Sequence, residues 1–223
     1  MSIPQLAKNV CSVQRNFDLN YVMPREHIDY IVDACTSMPT KQQQELYDLF
    51  ILTNTDNTKK LFEYGHSEEW DDQANEYVAW KQNGQFYSTC TMIWANTNKD
   101  DSSNRYMSIG IAAGAAALAA SELGYKTGFG VCMYANSVDR LLEDIFKDED
   151  TPPKFDHDTK PVLCLGIGNP NPKGQEIYDS IEVENVWGYK TGVTPKQAII
   201  EDGRINRFKP SDGKKQIKVF IDS

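Results

Sequence analysis

Residues of the types that perform catalysis are scattered through this sequence without the spacing that side-chain catalysis needs. The sequence contains no GxSxG, no Walker loop and no HExxH, so it indicates neither a hydrolase nor a phosphate-loop enzyme. The histidines lie far apart, and the odd number of cysteines includes no CxxC pair. They are His27, His66, His157, Cys11, Cys35, Cys90, Cys132 and Cys164. We expect no metal site, and thiols that are reduced and packed in the core.

The element that must position any functional residue runs from Tyr106 to Met133. Its first part, Ser108 to Ala120, contains only Ser, Ile, Gly, Ala and one Leu. A helix that is apolar on all sides is buried on all sides, so we expect a central core helix that ends at Gly124. Gly110 and Gly114 disfavour a helix interior and therefore indicate close packing. The uncharged run of about 13 residues is too short to cross a bilayer, which needs roughly 20.

Helix-like and strand-like segments alternate irregularly along the rest of the chain, which predicts an α+β protein with one small sheet flanked by helices. Strand-like segments are rich in aromatic and β-branched residues. They are residues 47–54, 85–95, 125–133, 162–167 and 217–221. We expect helices within residues 1–20, from Pro24 to before Pro39, as a pair across 56–82, and over 136–146.

Length and charge narrow the class of protein further. The chain has 223 residues, which fits a single domain. Its 23 basic and 32 acidic residues give a net charge of -9, which argues against nucleic-acid binding. The N-terminal MSIPQLAKNV has no signal-peptide core, so we expect a cytoplasmic protein with no membrane association.

Four stretches, in order, resemble the FMN-dependent nitroreductase-like family. They are QRNFD with VMPREHIDYIVDAC, then MPTKQQQELYDLFILT, then SIGIAAGAAALAASELGYKTGFG, and finally PVLCLGIGNP. The second is similar to the family's Pro-Ser-x-x-Asn-x-Gln-Pro-Trp. The third is similar to its alanine-rich helix ending in Gly-Leu-Gly, and the fourth to its strand closing in Gly-Tyr-Pro. Two weaker similarities are NGQFYSTCTMIW and GKKQIKV.

The resemblance implies a nitroreductase-like FMN-binding fold. That fold has a central antiparallel-type sheet flanked by helices and a buried Gly/Ala-rich central helix. Residues 1–223 would form one domain, with an extension from about 175 to 223 packing on the partner of a homodimer. The implied activity is that of an NAD(P)H oxidoreductase. NADH or NADPH passes a hydride to flavin N5 and leaves, and a small organic acceptor takes its place. Because the cofactor performs this chemistry, we name no catalytic residue.

The resemblance also implies which residues bind the cofactor. Arg15 stands at the family's basic residue before Phe17, and its guanidinium suits a phosphate. Thr40 and Gln43 stand at the family's Ser and Asn and can hydrogen-bond the ring or the ribityl chain. Further candidates are two amides (Asn83, Gln85), a loop whose backbone N–H groups would face the ring (Cys132, Met133, Tyr134), and a second cation (Lys214, Lys215). Arg204 and Arg207 compete for that last role.

Two alternatives stay open at the level of sequence. Cys11 and Val13 stand where the family has Arg and Ser, which favours a relative that stores flavin or has reduced catalysis. The other alternative is an unrelated α+β interaction protein whose alanine-rich helix only fills a core. Bound yellow flavin would separate this last protein from the others, and bleaching by NADH or NADPH would identify an active enzyme.

Overall fold

This computed structural model describes residues 2–10, 17–18, 20–64, 66–71, 76–81, 88–96, 102–130, 138–156 and 158–169. The helices are α1 (Ile3–Asn9), α2 (Arg25–Thr36), α3 (Thr55–Tyr64), α4 (Ser102–Glu122) and α5 (Val138–Ile145). The strands are β1 (Tyr47–Leu52), β2 (His66–Asp71), β3 (Glu76–Lys81), β4 (Cys90–Asn96), β5 (Lys126–Gly130) and β6 (Pro161–Gly168). A short 3-10 turn, Lys41–Gln43, precedes β1. These elements confirm the α+β class.

Four of the strands form one antiparallel sheet in the order β1-β4-β6-β5. Every residue of β4 is buried, because this strand is paired on both edges and covered on both faces. In β1, by contrast, only Leu52 is buried. β1 lies at the edge of the sheet, so its other residues stay partly accessible.

The sheet has two ends, which the strand pairing defines. At the Gly168 end, β4 begins and β6 ends, since Cys90 lies opposite Ile167, and β5 begins opposite Gly168. At the Asn96 end, β4 ends and β1 begins, and the Asn96 amide donates to the Lys160 carbonyl at 3.0 Å. α4 leads directly into β5 at the Gly168 end. With 21 residues it is about 30 Å long, so it begins at the Asn96 end.

Helices cover both faces of the sheet. On one face, apolar residues of α2 and α4 pack against the alternating β4 residues Met92 and Trp94 and against Leu165 of β6. On the other face, Leu61 of α3 and the leucines of α5 pack with Ile93. The period-2 alternation of a strand explains why neighbouring residues of β4 serve opposite cores.

Polar contacts fix α2 against the end of α4. The hydroxyl of Tyr30 donates to Oε2 of Glu122 at 2.6 Å. The hydroxyl of Tyr125, directly after α4, lies 2.7 Å from Nδ1 of His27 and 2.8 Å from the hydroxyl of Tyr21. Burial and then the Tyr21 hydrogen bond raise the pKa of Tyr125 above its ordinary value. The start of α2 is therefore held at the Gly168 end.

The central helix is buried on only part of its circumference. Ile109, Ala112, Ala113 and Ala116 are buried, as predicted. The opposite side, called here the open face of α4, consists of Tyr106, Met107, Gly110, Ile111 and Gly114, with Met107 58% and Ile111 43% exposed. A Cβ atom added at either glycine would meet no described atom within 4 Å. The prediction of burial on all sides is thus wrong for a single chain, because the uncharged outer side lies at its surface.

The predicted pair of helices across residues 56–82 is only half correct. α3 covers its first part, but β2 and β3 follow as an antiparallel hairpin, with Trp70 opposite Tyr77. No helix of the described residues is both long and apolar enough to cross a membrane.

Candidate functional site

Thr40 and Gln43 are the predicted cofactor-binding residues that fall within the described part of the chain. The remaining candidates lie outside the described residues. They are Arg15, Asn83, Gln85, Cys132, Met133, Tyr134, Lys214 and Lys215. The predicted C-terminal extension from about 175 to 223 also lies outside them.

Thr40 and Gln43 belong to a tight turn with an unusual backbone. Gln42 and Gln43 have φ angles of 55° and 60°, a left-handed conformation that non-glycine residues adopt at a cost. The hydroxyl of Thr40 donates to the Gln44 carbonyl at 2.7 Å and holds the turn closed. Gln43 is exposed. Strain of this kind persists where the surrounding structure maintains it, and it occurs often at ligand-binding sites.

This turn lies at the Asn96 end of the sheet. It connects the end of α2 to the start of β1, and Tyr47, the first residue of β1, pairs with Asn96. Burial and, to a lesser degree, Cys35 of α2 raise the pKa of Tyr47, so α2 ends close to the same strand terminus. Thr40 and Gln43 lie between these two points in the chain.

The segment that follows Arg15 is held at the opposite end. The Asp18 amide donates to the Asn169 carbonyl at 2.8 Å, and the Thr89 hydroxyl donates to the Asp18 carbonyl at 3.0 Å. Phe17 is buried there. The structure therefore brings Phe17 and Asp18 together with the start of β5 and the end of β6 at the Gly168 end. Sequence reasoning did not identify the contacts of Asp18 and Thr89, because backbone contacts leave no signature in the side-chain pattern.

Glycines at this end allow the segment to approach β6. A Cβ atom at Gly168 would collide with the Thr89 hydroxyl, lie 2.9 Å from the Thr89 Cβ and 3.1 Å from the Phe17 ring. Gly128 lies directly opposite Gly166 in the neighbouring strand pair. This part of the sheet therefore presents little side-chain bulk, and the side chains of Phe17 and Thr89 pack closely against the backbone of Gly168.

The described thiols are buried, and the pKa values of two of them are raised. Burial raises the pKa of Cys35 to about 11 and that of Cys90 to about 12, so both stay protonated at neutral pH. Cys164 is buried as well. This confirms, for these three residues, the expectation that the thiols are packed in the core. Cys11 and Cys132 lie outside the described residues.

One comparison decides the family. The model of the nitroreductase family matches residues 11–145, which is more than half of the chain. The chain belongs to the nitroreductase family. The matched region of this nitroreductase-family protein contains the Thr40 turn, the central helix and β5. The family match excludes the alternative of an unrelated α+β interaction protein.

Solved structures of this family share the fold. A nitroreductase from Bacteroides fragilis with bound FMN is 17% identical, with 87% of this chain and 100% of that chain covered and a TM-score of 0.58. An FMN- and NADPH-dependent nitroreductase from Sphigopyxis is 10% identical, covering 78% and 90%, with a TM-score of 0.57. Nitroreductase A from Vibrio parahaemolyticus is 13% identical, covering 92% and 84%, with a TM-score of 0.56. No curated protein matches the sequence.

Proposed function

We propose that this nitroreductase-family chain is an FMN-dependent NAD(P)H oxidoreductase that works as a homodimer. The family match over residues 11–145 carries the proposal. The similar Bacteroides fragilis structure contains FMN, and the similar Sphigopyxis protein is FMN- and NADPH-dependent. When bound, FMN would supply the transfer of hydride between a nicotinamide and a small organic acceptor.

The described residues suit a flavin nucleotide. The single proton of the Thr40 hydroxyl is used by Gln44, so its lone pairs can accept a hydrogen bond from the ligand. The exposed Gln43 amide can both donate and accept, which matches the mixed edge of the flavin ring. Arg15 would hold the phosphate near the Gly168 end. Asn83, Gln85, the loop Cys132–Tyr134 and the pair Lys214 and Lys215 complete the proposed site.

The separation of the two ends favours a site shared between two chains. Thr40 and Gln43 lie at the Asn96 end, whereas Phe17, two residues from Arg15, lies at the Gly168 end. These ends are separated by the length of β4, about 20 Å for seven residues. A two-fold axis crossing α4 at its middle would place the Asn96 end of one chain against the Gly168 end of the other. One cofactor could then contact both sets of residues.

The open face of α4 supports the same arrangement. It is uncharged and apolar, and its glycines leave room for another backbone to approach closely. A second copy of the chain would bury this face and satisfy the expectation of all-round burial. In this proposal residues 175–223 extend over the partner, as the family resemblance implies. The protein would act in the cytoplasm, where NAD(P)H is available and thiols remain reduced.

The first experiment is an absorbance spectrum of the purified protein from 300 to 550 nm, recorded before and after anaerobic addition of NADPH or NADH. We expect flavin bands that bleach on reduction, and the more effective donor identifies the nicotinamide. Bands that do not bleach would indicate the flavin-storing relative that Cys11 and Val13 favour. A protein that binds no flavin in excess FMN would contradict the proposal.

A further inference from the structure

A buried, charged side chain lacks a counterpart in the described structure. Arg105 is only 5% exposed, and neither its Nε nor its Nη1 atom has a hydrogen-bond partner among the described residues. A guanidinium remains charged at all relevant pH values. Burying such a charge without a partner costs several kcal/mol. Among the described residues, the positive charge of Arg105 is therefore not compensated.

The helix that carries Arg105 increases the need for a negative charge. Arg105 is the fourth residue of α4, and helical side chains tilt toward the N-terminus of their helix. The guanidinium is thus directed toward the first turn, where the helix dipole is positive and disfavours a cation. Two positive features coincide at the Asn96 end, and both favour an anion.

Two further unpartnered polar atoms belong to the same layer between the sheet and α4. Trp94 belongs to the same core cluster as Ile109 and Ala112 of α4, and Arg105 precedes Ile109 by four residues on the same helical face. Asn96 follows Trp94 by two residues and therefore points to the same side of β4. The Trp94 Nε1 and Asn96 Oδ1 atoms are buried without a hydrogen-bond partner in the described part of the chain.

We propose that Arg105, Trp94 and Asn96 form a binding site for a small oxyanion at the Asn96 end. The guanidinium fork and the indole N–H donate to the oxygens of a phosphate or carboxylate. The Asn96 carbonyl oxygen accepts from a protonated oxygen, such as that of hydrogen phosphate. Within one chain this site lies about one strand length from Phe17 and Asp18, whereas the proposed dimer would bring the Gly168 end of the second copy next to it. It does not depend on the proposed oxidoreductase activity.

The test is a melting-temperature titration of the purified full-length protein, with inorganic phosphate and acetate in separate arms at constant ionic strength adjusted with chloride. The two arms distinguish a phosphate site from a carboxylate site. We expect the preferred anion to raise the wild-type melting temperature by about 5 to 10 °C at one hundred times its dissociation constant. Arg105→Met should abolish that rise. It should also melt at or above the wild-type temperature in chloride alone, because it removes an unpaired buried charge.

Two further variants serve as controls. Arg140→Met removes an exposed arginine of α5 and should keep the full anion response. Arg105→Lys retains the charge but loses the fork, so a reduced response is expected, and this variant replaces Arg105→Met if the latter does not fold. Equal responses in the wild type and the Arg105 variants, or no wild-type response to either anion, would overturn the oxyanion site. Flavin binding is measured separately by absorbance. The anion titration can therefore be interpreted even if the protein proves not to be an oxidoreductase.

Discussion

At the scale of single residues, the turn before β1 stores strain where a ligand is expected. Gln42 and Gln43 both have positive φ angles, which cost an ordinary residue about 1–2 kcal/mol each. The Thr40 hydroxyl bond to the Gln44 carbonyl maintains the turn. The main role of Thr40 is therefore to hold the backbone of the turn, and the exposed Gln43 amide is available to bind a ligand.

Replacing Gln43 by glycine should separate stability from cofactor binding. Gln43→Gly relieves the positive φ but adds glycine entropy, so we expect the free energy of unfolding to rise by up to about 1 kcal/mol. Losing one hydrogen bond should weaken FMN binding by about 2- to 10-fold. Urea unfolding and quenching of flavin fluorescence measure the two effects.

Gln42→Gly is the matched control, since it relieves the same kind of strain one residue earlier. It should stabilise the protein to a similar degree and leave FMN affinity unchanged. Wild-type FMN affinity in Gln43→Gly would remove Gln43 from the proposed site.

Sequence reasoning reached some of these residues and not others. The family resemblance pointed to Thr40 and Gln43, but glutamine has no preference for left-handed backbone, so the strain was not predictable. Arg105 was missed because a lone arginine in a helix is ordinarily solvated. Its burial depends on how α4 lies across the sheet, which no local pattern encodes.

At the scale of elements, the strands of the main sheet and the central helix were predictable, whereas the hairpin of β2 and β3 was not. HSEEWD contains two glutamates, which have low strand propensity, and its pairing partner EYVAWK follows only after an intervening segment. Local propensity favoured a helix there. The structure pairs the two segments as an antiparallel hairpin, and the helix or strand propensity of each segment taken alone does not encode that pairing.

The contact between β6 and the Phe17 segment gives a prediction about packing. Gly168→Ala would press a methyl group against Thr89 and Phe17, and such overpacking typically costs about 1–3 kcal/mol. We expect this loss in the free energy of unfolding, measured with urea.

Gly110→Ala serves as the comparison, because the same methyl group meets no described atom within 4 Å there. In the single chain this change within a helix should stabilise the protein by about 1 kcal/mol. Because Gly110 also lies on the open face of α4, we expect the added methyl group to weaken association, which light scattering measures beside the urea unfolding. Equal stability of Gly168→Ala and the wild type would mean that the segment shifts away without cost.

At the scale of the whole molecule, the open face of α4 is the feature that a single chain leaves unexplained. The sequence predicts burial on all sides, and the structure of one chain provides it on one side only. A hydrophobic pattern indicates that a surface is buried, but it does not indicate whether the same chain or a second chain buries it.

A charge on the open face should therefore act on assembly. Ile111 is 43% exposed in one chain, so Ile111→Glu should leave the chain folded but prevent association. We expect light scattering to give about half the wild-type mass. Flavin should be lost as well, since the proposed site needs both chains.

Arg140→Glu is the control, because Arg140 is exposed on α5, which packs on the face of the sheet opposite α4. It should retain both mass and flavin. An Ile111→Glu protein of wild-type mass would rule out the open face as the interface.

The order of strands in the sheet also has a consequence for the time course of folding. β4 needs partners from both directions along the chain, with Tyr47 opposite Asn96 and Cys90 opposite Ile167. Strand pairings between segments that are distant in sequence form late in folding. We therefore expect the chain to fold slowly, with α4 forming before the sheet. During synthesis, β4 has no second partner until β6 leaves the ribosome. A chain interrupted before residue 161 would carry an apolar strand with one free edge, which is a site for aggregation.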